Sequence, residues 1–294
     1  MGIVPKVADP VKFRFLFFSA LSLFIFAGAI AGPYLVPHDP IKTNFGLVNL
    51  PPSWEYPFGT DRLGRCLFSR VVCGAQVTIF SSLLLVGIIF AFGTAVGVVS
   101  SYVGGRLDTL CMRVTDIVLA FPDMVLAIAV AGFLGGGLTN AIITLSCVSW
   151  TKYARLARSQ VLGLRDQTFM EAAKLAGNTT PQIIFRHILP NAMGPLVVTA
   201  ALDIGVMMIG VAGLSFLGLG VRPPTPEWGA MLNDGRNYFQ QYPGTIFFPG
   251  AAIFLSIMVF NLFGDALRDF MAPRPAAAVG DKAKPKANRI EANV

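Results

Sequence analysis

The sequence predicts an all-α fold, a polytopic membrane bundle of six transmembrane helices. Three observations predict it. Of 294 residues, 54% are hydrophobic and 13% charged, against a charged share of about 25% in soluble domains. The apolar residues gather into six segments, each near the roughly 20 residues an α-helix needs to cross a bilayer. Lys and Arg concentrate in alternate connections, which fixes a side for each.

The segments follow in order. The first, 15–36, comes after Lys12 and Arg14, and Ala29-Ile30-Ala31 resembles a signal-peptidase site. The apolar run continues to Val36, long enough to span, so we expect it to be retained as a helix. The second is 77–99. The third, 117–136, holds Asp123 beside Pro122, and the missing amide hydrogen of proline predicts a kink there. Gly135, Gly136 and Gly137 form a tight hairpin to the fourth, 138–156. This is the weakest, because Lys152, Tyr153 and Arg155 end it, where long basic side chains reach toward water. The fifth is 195–219 and the sixth 245–264. Taking the N-terminus, the loop near 100–116, the loop at 151–194 and the C-terminal tail as cytoplasmic places 17 of the 23 Lys and Arg inside. Both termini are then cytoplasmic. The +7 net charge is a topology signal and not a nucleic-acid surface. The chain divides into a cytoplasmic N-terminus (1–14), a first helix (15–36), an extracytoplasmic loop (37–76), a five-helix core (77–267) with a structured loop at 165–192, and an Ala-, Pro- and Lys-rich cytoplasmic tail (268–294). The tail has nothing to bury, so disorder is expected.

Several functions lack their residues. Cys66, Cys73, Cys111 and Cys147 show no CxxC spacing. On one helix Cys66 and Cys73 would stand about 10 Å apart along the axis, too far for a disulfide. His38 and His187 fall on opposite sides of the membrane, and there is no HExxH, so no metal site is expected. There is no GxxxxGK[ST] loop, so ATP hydrolysis by this chain is not expected.

Three motifs carry information. The basic loop MEAAKLAGNTTPQIIFRHILPNAMGP holds Glu171, Ala172, Ala173, Gly177, His187, Leu189 and Pro190. Met170 to Ala176 are good helix formers, Gly177 suits a left-handed cap, Pro181 opens a second short helix and Pro190 closes it. The stretch FGTDRLGRCLFSRVVCGAQVTI offers Gly59 and Gly64 as turns, Asp61 with Arg62 and Arg65 as ion pairs, and Thr60 between them. By itself it reads as a folded loop capping the bundle. The third, AGLSFLGLGVRPPTPEWGAMLNDGR, ends a helix at Gly218 and Gly220 and places Trp228 as an interfacial aromatic. Asp203, in ALDIGVMMIGV, is an intramembrane carboxylate with Met207 one turn along and Met208 beside it. Such a group faces a pathway or pairs with a basic or backbone partner; a carboxylate with thioethers would favour a cation or a cationic chelate.

The first loop resembles the EAA loop of permease subunits of bacterial ABC importers. Gly59, Thr60, Asp61, Gly64, Arg65, Ser69 and Arg70 resemble the GTDxxGRDxxSR stretch of the dipeptide, oligopeptide and nickel branch, with Cys66 in place of Asp. The segments at 212–236 and 260–269 resemble the same branch, so the likeness spans roughly 15–272. It implies a type I ABC importer permease in the bacterial inner membrane, paired with a second homologous permease subunit. Two ATP-binding subunits would carry ATP and Mg, and an extracytoplasmic substrate-binding protein would deliver cargo. Membrane lipid is the remaining partner, and this chain is expected to bind no cofactor of its own. Glu171 to Pro190 would dock on the ATPases. Cys66, Asp203-Ile204-Gly205 and the Met pair resemble nickel-type members, so the substrate expected is nickel as a chelate, with short peptides the open alternative. A secondary transporter would show inverted repeats and a membrane enzyme converging polar groups; neither is evident.

Overall fold

The computed structural model describes residues 10–272. Most of the expected N-terminal segment and nearly all of the expected disordered tail lie outside the described residues. The described chain is almost wholly helical: α1 (Pro10–Leu35), α2 (Leu67–Val103), α3 (Gly105–Leu119), α4 (Asp123–Leu134), α5 (Leu138–Arg165), α6 (Thr168–Leu175), α7 (Thr180–Ile183), α8 (Leu189–Phe216), α9 (Trp228–Gly235) and α10 (Gly244–Met271).

The core is α2, α5, α8 and α10. Helix α2 meets α5 at Gly93 and Gly97, four residues apart on one face. A Cβ at Gly93 would lie 2.4 Å from the Trp150 carbonyl oxygen, and one at Gly97 2.3 Å from that of Ala154. Without side chains at those positions the two backbones touch, which is how helices gain packing energy where lipid removes the hydrophobic drive. Helix α8 packs on α10 with Gly264 against Leu202 and Gly205 against Asn261 and Ile257. Helix α1 lies at the edge, held by stacking of Phe15 on Phe270 (4.5 Å) and by Gly32 against Val72.

Four helices are by themselves long and apolar enough to cross a membrane: α1, α2, the continuous run Thr180–Phe216, and α10. The third predicted span is broken rather than kinked. Helices α3 and α4 meet at 89° across Ala120 to Pro122, and with that pair the count among the described residues reaches five. The physical reason is that Pro122 cannot continue the ladder, while α3 carries Arg106, Asp108, Arg113 and Asp116 on a polar face. The fourth predicted segment is the helix α5, nine residues longer than expected at its C-terminal end, but it is not among the helices apolar enough to cross a membrane. Helix α2 begins at Leu67, inside the stretch expected to be loop.

Candidate functional site

Two clusters occupy opposite ends of the bundle, and a polar seam runs along the second half of α5 between them.

At one end the Gly59–Arg65 stretch forms a knot. Gly59 (φ 77°) and Gly64 (φ 70°) take left-handed conformations, and a Cβ at Gly64 would sit 1.7 Å from the Asn44 carbonyl oxygen. Only glycine fits there. The Asp61 carboxylate accepts from the backbone N–H groups of Leu63 (2.9 Å) and Arg65 (3.0 Å) and from Arg65 Nε (2.6 Å), with Arg70 Nε 3.5 Å away. Arg65 and Arg70 are buried. Thr60 Oγ1 accepts from Leu50 N at 2.8 Å and donates to the Leu47 carbonyl. All five predicted loop residues therefore meet in one knot. The knot is tied to the 223–236 segment: Arg62 and Arg65 reach Asp234, and Arg70 donates to the Pro224 carbonyl.

Glu227, which the sequence reading quoted but gave no role, is fully buried. Its Oε1 accepts from Thr78 Oγ1 (3.0 Å) and Gly229 N (2.9 Å), and its Oε2 from Ala230 N (2.8 Å). It caps α9 and clamps it to α2, where Trp228 Nε1 donates to the Val71 carbonyl. The usable signal was an acidic residue directly ahead of a short helical run, whose first N–H groups need acceptors.

At the other end stands the EAA loop. Helix α6 closes at Gly177 (φ 75°) in a two-bond terminus: Asn178 N donates to the Ala173 carbonyl (3.3 Å) and Gly177 N to that of Lys174 (3.0 Å). Thr179 N donates to Gln182 Oε1 at 2.7 Å, starting α7 with Pro181 in its first turn. Met170, Ile183 and Ile188 are buried and anchor the loop, while Leu175 is 90% and Phe185 68% exposed. Glu171 and Ala172 are also exposed; Ala173 is buried. Pro190 does not close the second helix. Ile184–Ile188 form a π-turn that passes directly into α8. The wide turn lets Leu189 N bond the Ile184 carbonyl, just before the proline that has no N–H to give, and Asn191 Nδ2 caps the His187 carbonyl at 2.6 Å. Leu189 and Pro190 thus open α8, so the second half of the loop, from Thr180, and the membrane helix are one continuous helix.

Between the ends, Asp203 is buried and paired within the chain. Lys152 Nζ donates to Oδ1 at 2.6 Å and Tyr153 OH to Oδ2 at 2.9 Å. Met207 and Met208 are buried beside it. Farther along α5, Arg155 pairs with Asp116, and Arg158 binds Asp108 through two bonds of 2.8 and 2.7 Å. Lys152, Arg155 and Arg158 follow at i, i+3, i+6, each with an aspartate from α8 or α3. In the sequence Lys152 and Arg155 read as a basic helix end and Arg158 as part of the following loop; the seam is not legible there, because each acid lies on another helix. No three His, Cys, Asp or Glu side chains among the described residues gather to hold a metal ion, and the four cysteines are free.

Residues 81–276 match the model of the family described as "Binding-protein-dependent transport system inner membrane component". The chain belongs to this family. It is 44% identical over 245 residues to a probable D,D-dipeptide transport system permease protein of Escherichia coli K12, covering 83% of this chain and 82% of that one. It is 41% identical to the nickel transport system permease protein of the same strain, covering 83% and 88%. The fold is similar to a chain of the MetNI methionine ABC transporter in an inward-facing form, with TM-score 0.58 at 19% identity, covering 69% of this chain and 97% of that one. Relatives named for a dipeptide and for nickel stand at nearly equal identity. As an inner membrane component of binding-protein-dependent transport, the chain is a permease of the ABC importer type.

Proposed function

We propose that this chain is one of two permease subunits lining the path of an ATP-driven importer for small solutes, short peptides or chelated nickel. The observation that carries the reading is the unbroken helix from the EAA loop into α8. The exposed Phe185 lies on the run Thr180–Phe216, which passes through the π-turn into the bundle, and α6 with the exposed Glu171 and Leu175 precedes it across the Gly177 cap. Two ATP-binding subunits would grip this loop as a lever, and their closure on ATP would tilt α8 and α5 together. Work is done through the different affinities of the inward- and outward-open states for ATP. The knot at Gly59–Arg65 with α9 is the face a loaded binding protein would meet. Six spans are proposed, with α5 the sixth: its charges are paired internally, so it tolerates the bilayer despite failing on apolarity. The inner membrane is the site, with both termini cytoplasmic.

Pairing of Asp203 with Lys152 removes the argument for a cationic cargo that an unpaired carboxylate would have made. Cys66, the other nickel-leaning residue, is 2% exposed and offers no thiol to a passing metal. Peptide therefore leads nickel. The test is ATPase activity of the reconstituted complex. Loaded binding protein should stimulate it only when this chain is present, and absence of stimulation by either cargo would end the importer reading.

A further inference from the structure

Lys152 and Asp203 face one another from α5 and α8, and both lie inside segments expected to span, 138–156 and 195–219. Asp203 is well within the continuous apolar run Thr180–Phe216. The pair therefore lies within the spanning part of the bundle. Its two members are unequally covered: the Asp203 side chain is 3% exposed and that of Lys152 is 55% exposed. Both carboxylate oxygens are occupied, one by Lys152 and one by Tyr153, which is fully buried. The ammonium has three N–H groups and gives one to Asp203, which leaves two for a ligand. Arg155, also half exposed, continues the open side along the same helix.

A half-exposed ammonium within spanning segments is not left against hydrocarbon; such groups face a bundle interior or water. Resting on the importer reading above, we propose that the open side of the α5 seam is the wall of the translocation path, and that Lys152 receives the carboxylate of the passing cargo. Asp203 is the positioning residue that holds the ammonium in place. The seam offers nothing comparable to a bare cation, because its outermost group is positive and its acids are spoken for. The ligand chemistry is a small solute bearing a carboxylate, either the end of a short peptide or the carboxylate of an amino acid bound to a metal.

The experiment uses the full complex in proteoliposomes, with the native cysteines of this chain replaced. Lys152→Cys combined with Asp203→Asn strands no buried charge. That thiol should react with a charged, membrane-impermeant thiosulfonate, and saturating loaded binding protein with ATP should protect it. Uptake of labelled dialanine and of nickel with histidine is then compared for the native chain, Lys152→Arg, and Lys152→Met with Asp203→Asn. The cargo the native complex carries identifies the source of the carboxylate. Its uptake should fall about tenfold in the Met/Asn pair, the worth of one charge-assisted hydrogen bond, and Lys152→Arg should restore most of it. An unreactive thiol at 152 in every nucleotide state, or native uptake by the Met/Asn pair, overturns the proposal while leaving the importer reading standing. A native complex that carries neither cargo overturns that reading instead, and the labelling still decides whether position 152 faces water.

Discussion

Glu227 shows how much of the outer cap rests on one carboxylate. Three donors converge on its two oxygens in a site with no water access. In Glu227→Gln one oxygen becomes an NH2 group, which must face a backbone or hydroxyl donor. Losing a charge-assisted acceptor and setting donor against donor should cost about 1–3 kcal/mol. Thermal unfolding of the purified variant should report it as a lowered midpoint; an unchanged midpoint would mean that α9 is held by Trp228 and the arginine bridges alone. Gly64→Ala should be worse, because the new methyl meets the Asn44 carbonyl oxygen at 1.7 Å in a left-handed backbone, and the knot must open to admit it. Gly59, Gly64 and Asp61 were legible in the sequence, since turn glycines and a short-range acid–base pair are local features. The clamp of Glu227 on Thr78 and the Asp203–Lys152 pair were not, because those partners are 149 and 51 residues apart and no local pattern announces them; only the capping of α9 by Glu227 had a local signal.

Helix ends follow the same division. The stop at Gly177 and the restart at Thr179 and Pro181 were readable, because caps are written in adjacent residues. The role of Pro190 was not. A proline stops a helix only if the chain has no way to spare the lost hydrogen bond, and the π-turn at Ile184–Ile188 provides one. Likewise Pro122 bends its segment by 89°, more than a lone proline requires, because the preceding helix is amphipathic and its aspartates are drawn to Arg155 and Arg158. These elements make the lever a testable unit. Gly177→Pro is expected to leave the chain in the membrane and abolish stimulated ATPase activity, since proline's φ near −65° is incompatible with the observed +75°. Glu171→Lys, which reverses an exposed charge without touching the fold, should weaken capture of the ATP-binding subunits on affinity purification. Full capture and full transport by both variants would take the loop out of the coupling pathway.

At the scale of the whole molecule, apolarity alone finds four or five spans, and hydropathy with charge placement suggested six. The difference is α5. Lys152, Arg155 and Arg158 are each paired with an aspartate on α8 or α3. Hydropathy averaged along the sequence scores these cations and the neighbouring Asn, Ser and Thr without their partners, and so passes over a span of this kind. The topology then turns on whether the two clusters really lie on opposite sides of the bilayer. Helix α5 leads from the Gly135–Gly137 hairpin, where Gly137 N bonds the Leu219 carbonyl in the connection from α8 to α9, to the EAA loop, so one crossing by α5 separates them. With the native cysteines replaced, Asn237→Cys beside α9 and Thr180→Cys at the start of α7 are both exposed positions. In intact cells an impermeant thiol reagent should modify Asn237→Cys and spare Thr180→Cys, which should react only after the membrane is opened. Modification of both from outside would mean that α5 does not cross, and modification of Thr180→Cys alone would invert the molecule in the membrane.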